Sequence, residues 1–94
     1  MYSVLEHRSA AKALDKAPKH IQEAYEAWKQ LVELQGPAAL RVVSGYRDHA
    51  LRGEWAGARA SFLNFQWRII YLVHEKEVQI LVMRVTSHDY RRKK

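Results

Sequence analysis

Histidine, arginine and aromatic residues in the second half of the sequence are the side chains best suited to chemistry. Scission of an RNA strand by its own 2′-hydroxyl requires a base for the 2′ proton, an acid for the leaving 5′ oxygen and cations for the phosphate. Histidine suits proton transfer because its ordinary pKa lies near neutrality, and the planar arginine fork donates two parallel hydrogen bonds to phosphate. An aromatic ring can hold an unstacked base. Residues of these types on or beside the predicted C-terminal strands are His49, Arg59, Trp67, Arg68, Arg84, His88 and Tyr90.

The positive charge of the chain is confined to its second half. The net charge is +6. Residues 1–40 hold five Lys/Arg and five Asp/Glu, whereas residues 41–94 hold eleven Lys/Arg and five Asp/Glu. This asymmetry favours an anionic partner for the C-terminal part, with nucleic acid the commonest candidate. A solubilising surface with a basic tail at residues 91–94 is the alternative.

Several classes of site and segment are excluded. The chain has no cysteine, which excludes disulfides and thiolate metal ligands. Its five histidines show no metal-binding spacing, and it has no glycine-rich phosphate loop and no nucleophile motif. No apolar run approaches the roughly 20 residues of a membrane span. We therefore expect a cytoplasmic protein of one domain, residues 1–94, that needs no metal or cofactor and has no membrane partner.

Hydrophobic periodicity predicts an α+β fold in the order β-α-α-β-β-β, with an antiparallel sheet packed on one side by an N-terminal helix pair. Ser9 is a candidate N-cap for the first helix, and Pro18 suits the first turn of the second. The second helix ends at Gly36-Pro37. Residues 38–57 are predicted to be an irregular connection. A connection of this length in a small domain indicates either a functional segment or a missed element, and we favour the functional segment. The predicted strands cover residues 2–6, 58–63, 67–74 and 78–85, and the predicted helices cover residues 9–16 and 18–35.

Helical spacing accounts for the aromatic residues of the second helix. Tyr25 and Trp28 fall on one apolar stripe and are assigned to the core. Trp55 is expected to anchor the irregular connection by packing. Residues 69–73 are apolar on both alternating faces, which is typical of a central strand.

Three segments of the chain resemble the RelE superfamily of toxins, most closely its YafQ and HigB branches. They are DHALRGEWAGAR (residues 48–59), WRIIY (residues 67–71) and TSHDYRR (residues 86–92). The resemblance implies a RelE-like fold and a toxin of a type II toxin–antitoxin pair, which enters the ribosomal A site and cuts mRNA there without a metal. It also implies an antitoxin partner, and we expect an acidic or amphipathic segment of that partner to lie across the helix pair or cleft.

The resemblance also implies roles for individual residues. His49 and His88 match the family histidines proposed as general acid and base, and Tyr90 takes the place of an aromatic that stacks on a base. Arg59 matches an arginine that can face phosphate. The candidate catalytic residues are therefore His49, His88, Tyr90 and Arg59. Trp67 matches the family aromatic at the start of the middle strand, whereas Arg68 and Arg84 are supporting cations placed by the predicted strands alone. The candidate substrate-binding residues are Trp67, Arg68, Arg84, Arg47, Arg52 and Arg91.

The chain departs from the YafQ branch at two positions, where Phe62 stands in place of a histidine and Gln66 in place of an aspartate. Two other functions therefore stay open. One is a ParE-type toxin, which shares the fold but poisons gyrase by binding protein. The other is a non-catalytic module that binds RNA or a partner. The histidines and Tyr90 favour the nuclease, since gyrase poisoning needs no acid–base groups.

Overall fold

The α+β class predicted from the sequence is confirmed. The computed structural model describes residues 1–87. Two single-turn 3₁₀ helices, Ser44–Tyr46 and Gly53–Trp55, interrupt the middle of the chain. The regular elements within residues 1–87 are β1 (Ser3–Glu6), α1 (Arg8–Lys16), α2 (Lys19–Gln35), α3 (Ala39–Val42), β2 (His49–Ala50), β3 (Arg59–Phe62), β4 (Arg68–His74) and β5 (Gln79–Thr86).

One sheet joins all five strands of the described chain in the order β1-β5-β4-β3-β2. β3, β4 and β5 pair antiparallel with one another in chain order, as predicted, and β2 pairs antiparallel with β3. β1 differs because it pairs parallel with β5, so that the sheet is mixed. The β4–β5 register shifts between Ile70 and Tyr71, where Met83 forms a β-bulge: Ile70 pairs with Arg84 and Tyr71 with Val82.

The helices cover one face of this sheet. On α2 the predicted stripe is buried, and Tyr25 and Trp28 are only 2% and 0% exposed. The Trp28 ring stacks on Tyr25 and meets the edge of Tyr71 from β4, which joins the helix to the sheet. The core cluster on this face comprises Ala10, Leu14, Tyr25, Trp28, Val32, Leu40, Ile69, Tyr71, Ile80, Val82 and Val85.

The helix boundaries follow local rules, with one correction. Gly36 ends α2 with φ of 85°, a left-handed conformation that glycine adopts without steric cost. At the start of α1 the predicted Ser9 cap is wrong. The N-cap is His7, whose Nδ1 accepts from the Ser9 backbone N–H at 3.1 Å, while the Ser9 hydroxyl donates to the Met83 carbonyl at 3.3 Å.

Residues 38–57 contain more structure than the sequence predicts. α3 and β2 form there, and both were missed because elements of four and two residues are too short to show a periodicity. β2 pairs with β3 and extends the sheet by one edge strand. None of the helices within residues 1–87 is long and apolar enough to cross a membrane.

Candidate functional site

The sheet face turned away from the helices carries three of the candidate residues, His49, Arg68 and Arg84; we call it the open face. Paired residues on antiparallel strands point to the same side of a sheet, and successive residues on one strand alternate. Since Ile69, Tyr71 and Val85 face the helices, their neighbours along the strands face the other way. Strand pairing therefore sets two rows on this face. One is His49–Ala60–Ile70–Arg84, in which Ala60 and Ile70 are buried, and the other is Phe62–Arg68–Thr86.

His49 stands at the β2 end of the first row and is half-buried. Its Nδ1 lies 2.7 Å from the backbone carbonyl oxygen of Arg47. A carbonyl only accepts hydrogen bonds, so Nδ1 carries the proton and the neutral ring has its lone pair on Nε2. Arg47 itself adopts the left-handed region, with φ of 47°, and this directs its carbonyl towards the ring. The backbone thus sets the tautomer that a general base requires.

The guanidinium groups of three arginines on or beside the open face lie against aromatic rings. The guanidinium carbon of Arg68 lies 4.6 Å from the ring centroid of Phe62, and that of Arg47 lies 5.9 Å from it. The guanidinium carbon of Arg84 lies 5.6 Å from the Trp55 ring. These are cation–π distances. Trp55, expected to pack within its loop, thus contacts an arginine of β5 as well.

A buried carboxylate lies on the opposite side of β2 from His49. The side chain of Asp48 is 0% exposed, and it accepts hydrogen bonds from Arg59 Nε at 2.7 Å, from the Ser61 hydroxyl at 2.8 Å and from the phenol of Tyr71. We call these four residues the Asp48 cluster. Asp48 precedes β2, Arg59 and Ser61 lie on β3, and Tyr71 lies on β4, so the cluster joins three neighbouring strands beneath the histidine.

The Asp48 cluster shifts the pKa values of its members. Burial raises the pKa of the Tyr71 phenol, and the hydrogen bond to Asp48 and the charge of that carboxylate raise it further. Burial alone would lower the pKa of Arg59, but the hydrogen bond and the charge of Asp48 outweigh it and raise that pKa. Arg59 is therefore a cation under all ordinary conditions, and its Nε is engaged by Asp48.

Two of the remaining candidates within residues 1–87, Trp67 and Arg52, are not brought together with His49. Trp67 is half-buried against the core cluster, on the side of the sheet that faces the helices. Arg52 is exposed and precedes the second 3₁₀ helix. The candidates His88, Tyr90 and Arg91 lie outside the described residues. Within residues 1–87, no three histidine or carboxylate side chains lie close enough together to hold a metal ion.

Two further residues of the site were missed from the sequence. Asp48 is the first letter of the DHALRGEWAGAR segment, and its position directly before His49 was the available signal. Phe62 stands out in the sequence only as a departure from the YafQ branch. Its alternation with Ser61 on β3, opposite Arg68, could have placed it on the same face as the arginines.

A raised phenol pKa has a consequence for stability that can be measured. The Tyr25 phenol donates to Glu6 Oε2 at 2.5 Å, and burial, followed by this hydrogen bond, raises its pKa as in Tyr71. Both phenols therefore stay protonated in the folded state above pH 10, where an unfolded chain loses these protons. The contribution of these two phenols to the free energy of unfolding is fully present below about pH 10. Above that pH we expect the free energy of unfolding to fall by about 1.4 kcal/mol per pH unit for each tyrosine.

Urea unfolding midpoints measured between pH 9 and pH 11, roughly either side of an ordinary phenol pKa, test this expectation. Tyr25→Phe and Tyr71→Phe together should flatten the alkaline decline, although the loss of two hydrogen bonds lowers stability at neutral pH. Tyr2→Phe is the matched control, since Tyr2 directly precedes β1 and the substitution removes a hydroxyl from a half-buried tyrosine. An unchanged alkaline slope in the double variant would contradict the assignment.

The fold and the basic open face define a class: small α+β toxins with the RelE-like architecture. A family model described as "Bacterial toxin of type II toxin-antitoxin system, YafQ" matches residues 5–91. The chain therefore belongs to the YafQ family of type II toxins, and the resemblance to the YafQ branch is confirmed. None of the curated proteins compared with the chain matches it.

Solved structures with the same fold include toxins from bacteria and an archaeon. YafQ from Escherichia coli BL21(DE3) is 19% identical, with a TM-score of 0.76 and 94% of each chain covered. RelE of the RelE–RelB complex from Pyrococcus horikoshii is 21% identical, with a TM-score of 0.75 over 95% of this chain and 97% of that one. The RelBE2 toxin–antitoxin complex from Mycobacterium tuberculosis gives 24% identity and a TM-score of 0.70, covering 93% and 98%. At these identities the likeness shows the shared fold.

Proposed function

We propose that the chain is an endoribonuclease that cuts mRNA on the ribosome by internal attack of a 2′-hydroxyl. The observation that carries the proposal is the position of His49 in one row with Arg84, its tautomer set by the Arg47 carbonyl. Membership of the YafQ family supports the same activity, because toxins of this family are generally endoribonucleases.

The reaction needs few groups. His49 Nε2 takes the proton from the 2′-hydroxyl, and the 2′ oxygen bonds to phosphorus while the bond from phosphorus to the 5′ oxygen breaks. A general acid returns a proton to the leaving 5′ oxygen; His88, placed by the family resemblance, is the proposed acid. Arg84 stabilises the charge that grows on the reacting phosphate. Tyr90 is proposed to stack on a base.

Arg59 has a different place in this proposal from the one its sequence position suggested. Because its Nε is engaged by the buried Asp48 carboxylate, its contribution is to hold β2 and β3 together beneath His49.

We also propose an antitoxin as the physiological partner. Related folds have been solved as toxin–antitoxin complexes in Pyrococcus horikoshii and Mycobacterium tuberculosis. A basic open face is complementary to an acidic segment, and an antitoxin segment bound there would cover His49 and the arginines at once.

Primer extension in a purified translation system tests both proposals. We expect cuts only when ribosomes occupy the mRNA, with fragments that end in a cyclic or 3′ phosphate and begin with a 5′-hydroxyl. Adding the product of the adjacent reading frame should suppress the cuts. Uncut mRNA from a chain that still arrests growth would overturn the nuclease proposal. Inhibition of gyrase supercoiling by that chain would instead identify the ParE-type alternative.

A further inference from the structure

Phe62 occupies an unusual position for a half-buried aromatic residue, because two guanidinium groups share its ring. Arg68 pairs with Phe62 across β3 and β4, and its guanidinium carbon is 4.6 Å from the ring centroid. Arg47 reaches the same ring from the loop before β2, at 5.9 Å. Two like charges repel each other, and cation–π contacts with one ring offset part of that repulsion. The two guanidinium groups therefore produce a positive electrostatic potential around Phe62.

The same ring is linked to the candidate general base. The Arg47 side chain lies at Phe62 while the Arg47 carbonyl oxygen lies 2.7 Å from His49 Nδ1. The row that contains Phe62 is separated from the row that contains His49 by two residues along β3, or about 7 Å. A ligand group at Phe62 is therefore a near neighbour of one at His49 without occupying the same position.

Phe62 cannot itself transfer a proton, so it does not reproduce the histidine of the YafQ branch. Its ring instead limits the motion of two long side chains before any ligand binds. Less rotamer freedom is then lost on binding, which is the cost that preorganisation removes. Planar guanidinium forks are suited to phosphate oxygens.

We infer that Phe62, Arg47 and Arg68 form a second phosphate subsite, which holds a backbone phosphate of single-stranded RNA beside the one that reacts at His49. In this inference, which rests on the proposed function, Arg47 and Arg68 contact the phosphate and Phe62 is a positioning residue. Arg84 makes the same kind of cation–π contact with Trp55 at the other end of the row that contains His49.

Binding of an uncleavable probe tests the subsite separately from catalysis. The probe is a short, fluorescent 2′-O-methyl oligoribonucleotide, titrated with the free chain at several salt concentrations. Phe62→Leu keeps every charge but removes the ring, and we expect its affinity to fall about fivefold. The plot of log affinity against log salt should become shallower by about 0.7 for each phosphate that the variant no longer neutralises. Phe62→Trp should bind at least as well as the natural chain, because tryptophan is the best cation–π partner.

Phe65→Leu is the matched control. It removes an 81% exposed phenylalanine from the β3–β4 connection and should leave both affinity and salt slope unchanged. Thermal unfolding establishes that every variant is folded. Natural affinity and salt slope in Phe62→Leu would overturn the inference, and so would a Phe62→Trp variant as weak as Phe62→Leu. A natural chain that does not bind the probe would also overturn it, whereas the proposed activity is decided independently by cleavage on ribosomes.

Discussion

We expect His49→Asn to lower the rate of mRNA cleavage by about 10²- to 10⁴-fold, the usual effect of removing a general base. Asparagine can place its amide nitrogen near the position of Nδ1 and keep the donation to the Arg47 carbonyl, but it has no group equivalent to Nε2. The substitution therefore removes proton transfer while keeping the local hydrogen bond. Primer extension on ribosome-bound mRNA gives the rate, and the oligonucleotide titration gives the affinity.

His49→Ala separates the two contributions of the ring. It should lose the same catalytic factor and also loosen the turn at Arg47, whose left-handed conformation the hydrogen bond helps to hold. His74→Asn is the control, because His74 is exposed at the end of β4. Cleavage by His49→Asn at close to the natural rate would show that the base is another group and would contradict the proposed mechanism.

We expect Asp48→Asn to destabilise the fold by about 3 kcal/mol, the lower end of the effect of breaking a buried ion pair. The carboxylate is fully buried, while the Arg59 side chain is 22% exposed, so that water relieves part of the cost of its unpaired charge. The asparagine amide group also presents donors to a site whose three partners are all donors. In a chain of this size the melting temperature should fall by about 15 °C.

A double-variant cycle isolates the ion pair. Asp48→Asn with Arg59→Met removes both charges, and we expect it to be more stable than Asp48→Asn alone, because an unpaired buried charge costs more than an absent pair. Ser61→Ala is the control for a hydrogen bond to Asp48 without a charged donor, with an expected loss of about 1 kcal/mol. A loss below about 1 kcal/mol in Asp48→Asn would show that the cluster does not hold the strands together.

The elements that periodicity predicts are those whose own residues bury a continuous face. The α2 stripe through Trp28 and Val32 is long enough to fix both the helix and its buried side. β4 is apolar on both faces, and it indeed lies inside the sheet, between β3 and β5. β2 contains only two residues and exists because β3 offers it hydrogen bonds, so nothing in its own sequence could reveal it.

Long-range pairing was the other feature beyond the reach of the sequence. The parallel pairing of β1 with β5 joins residues more than seventy positions apart, Ser3 with Gln79 among them. The candidate site was predictable in part. The sequence places Arg68 and Arg84 on strands, but only the register of β4 against β5 shows that they share a face. The role of Asp48 depends on three donors from two other strands, which no local pattern contains.

The position of β5 in the sheet has a consequence for synthesis of the protein. β5 is the last of the described strands to be translated, yet it lies between β1 and β4 and also packs against α1. Within the described sheet β1 therefore has no neighbour until β5 has emerged, and contacts of such long sequence separation form slowly. A nascent chain cannot assemble the complete sheet, and the strand that carries Arg84 joins it last.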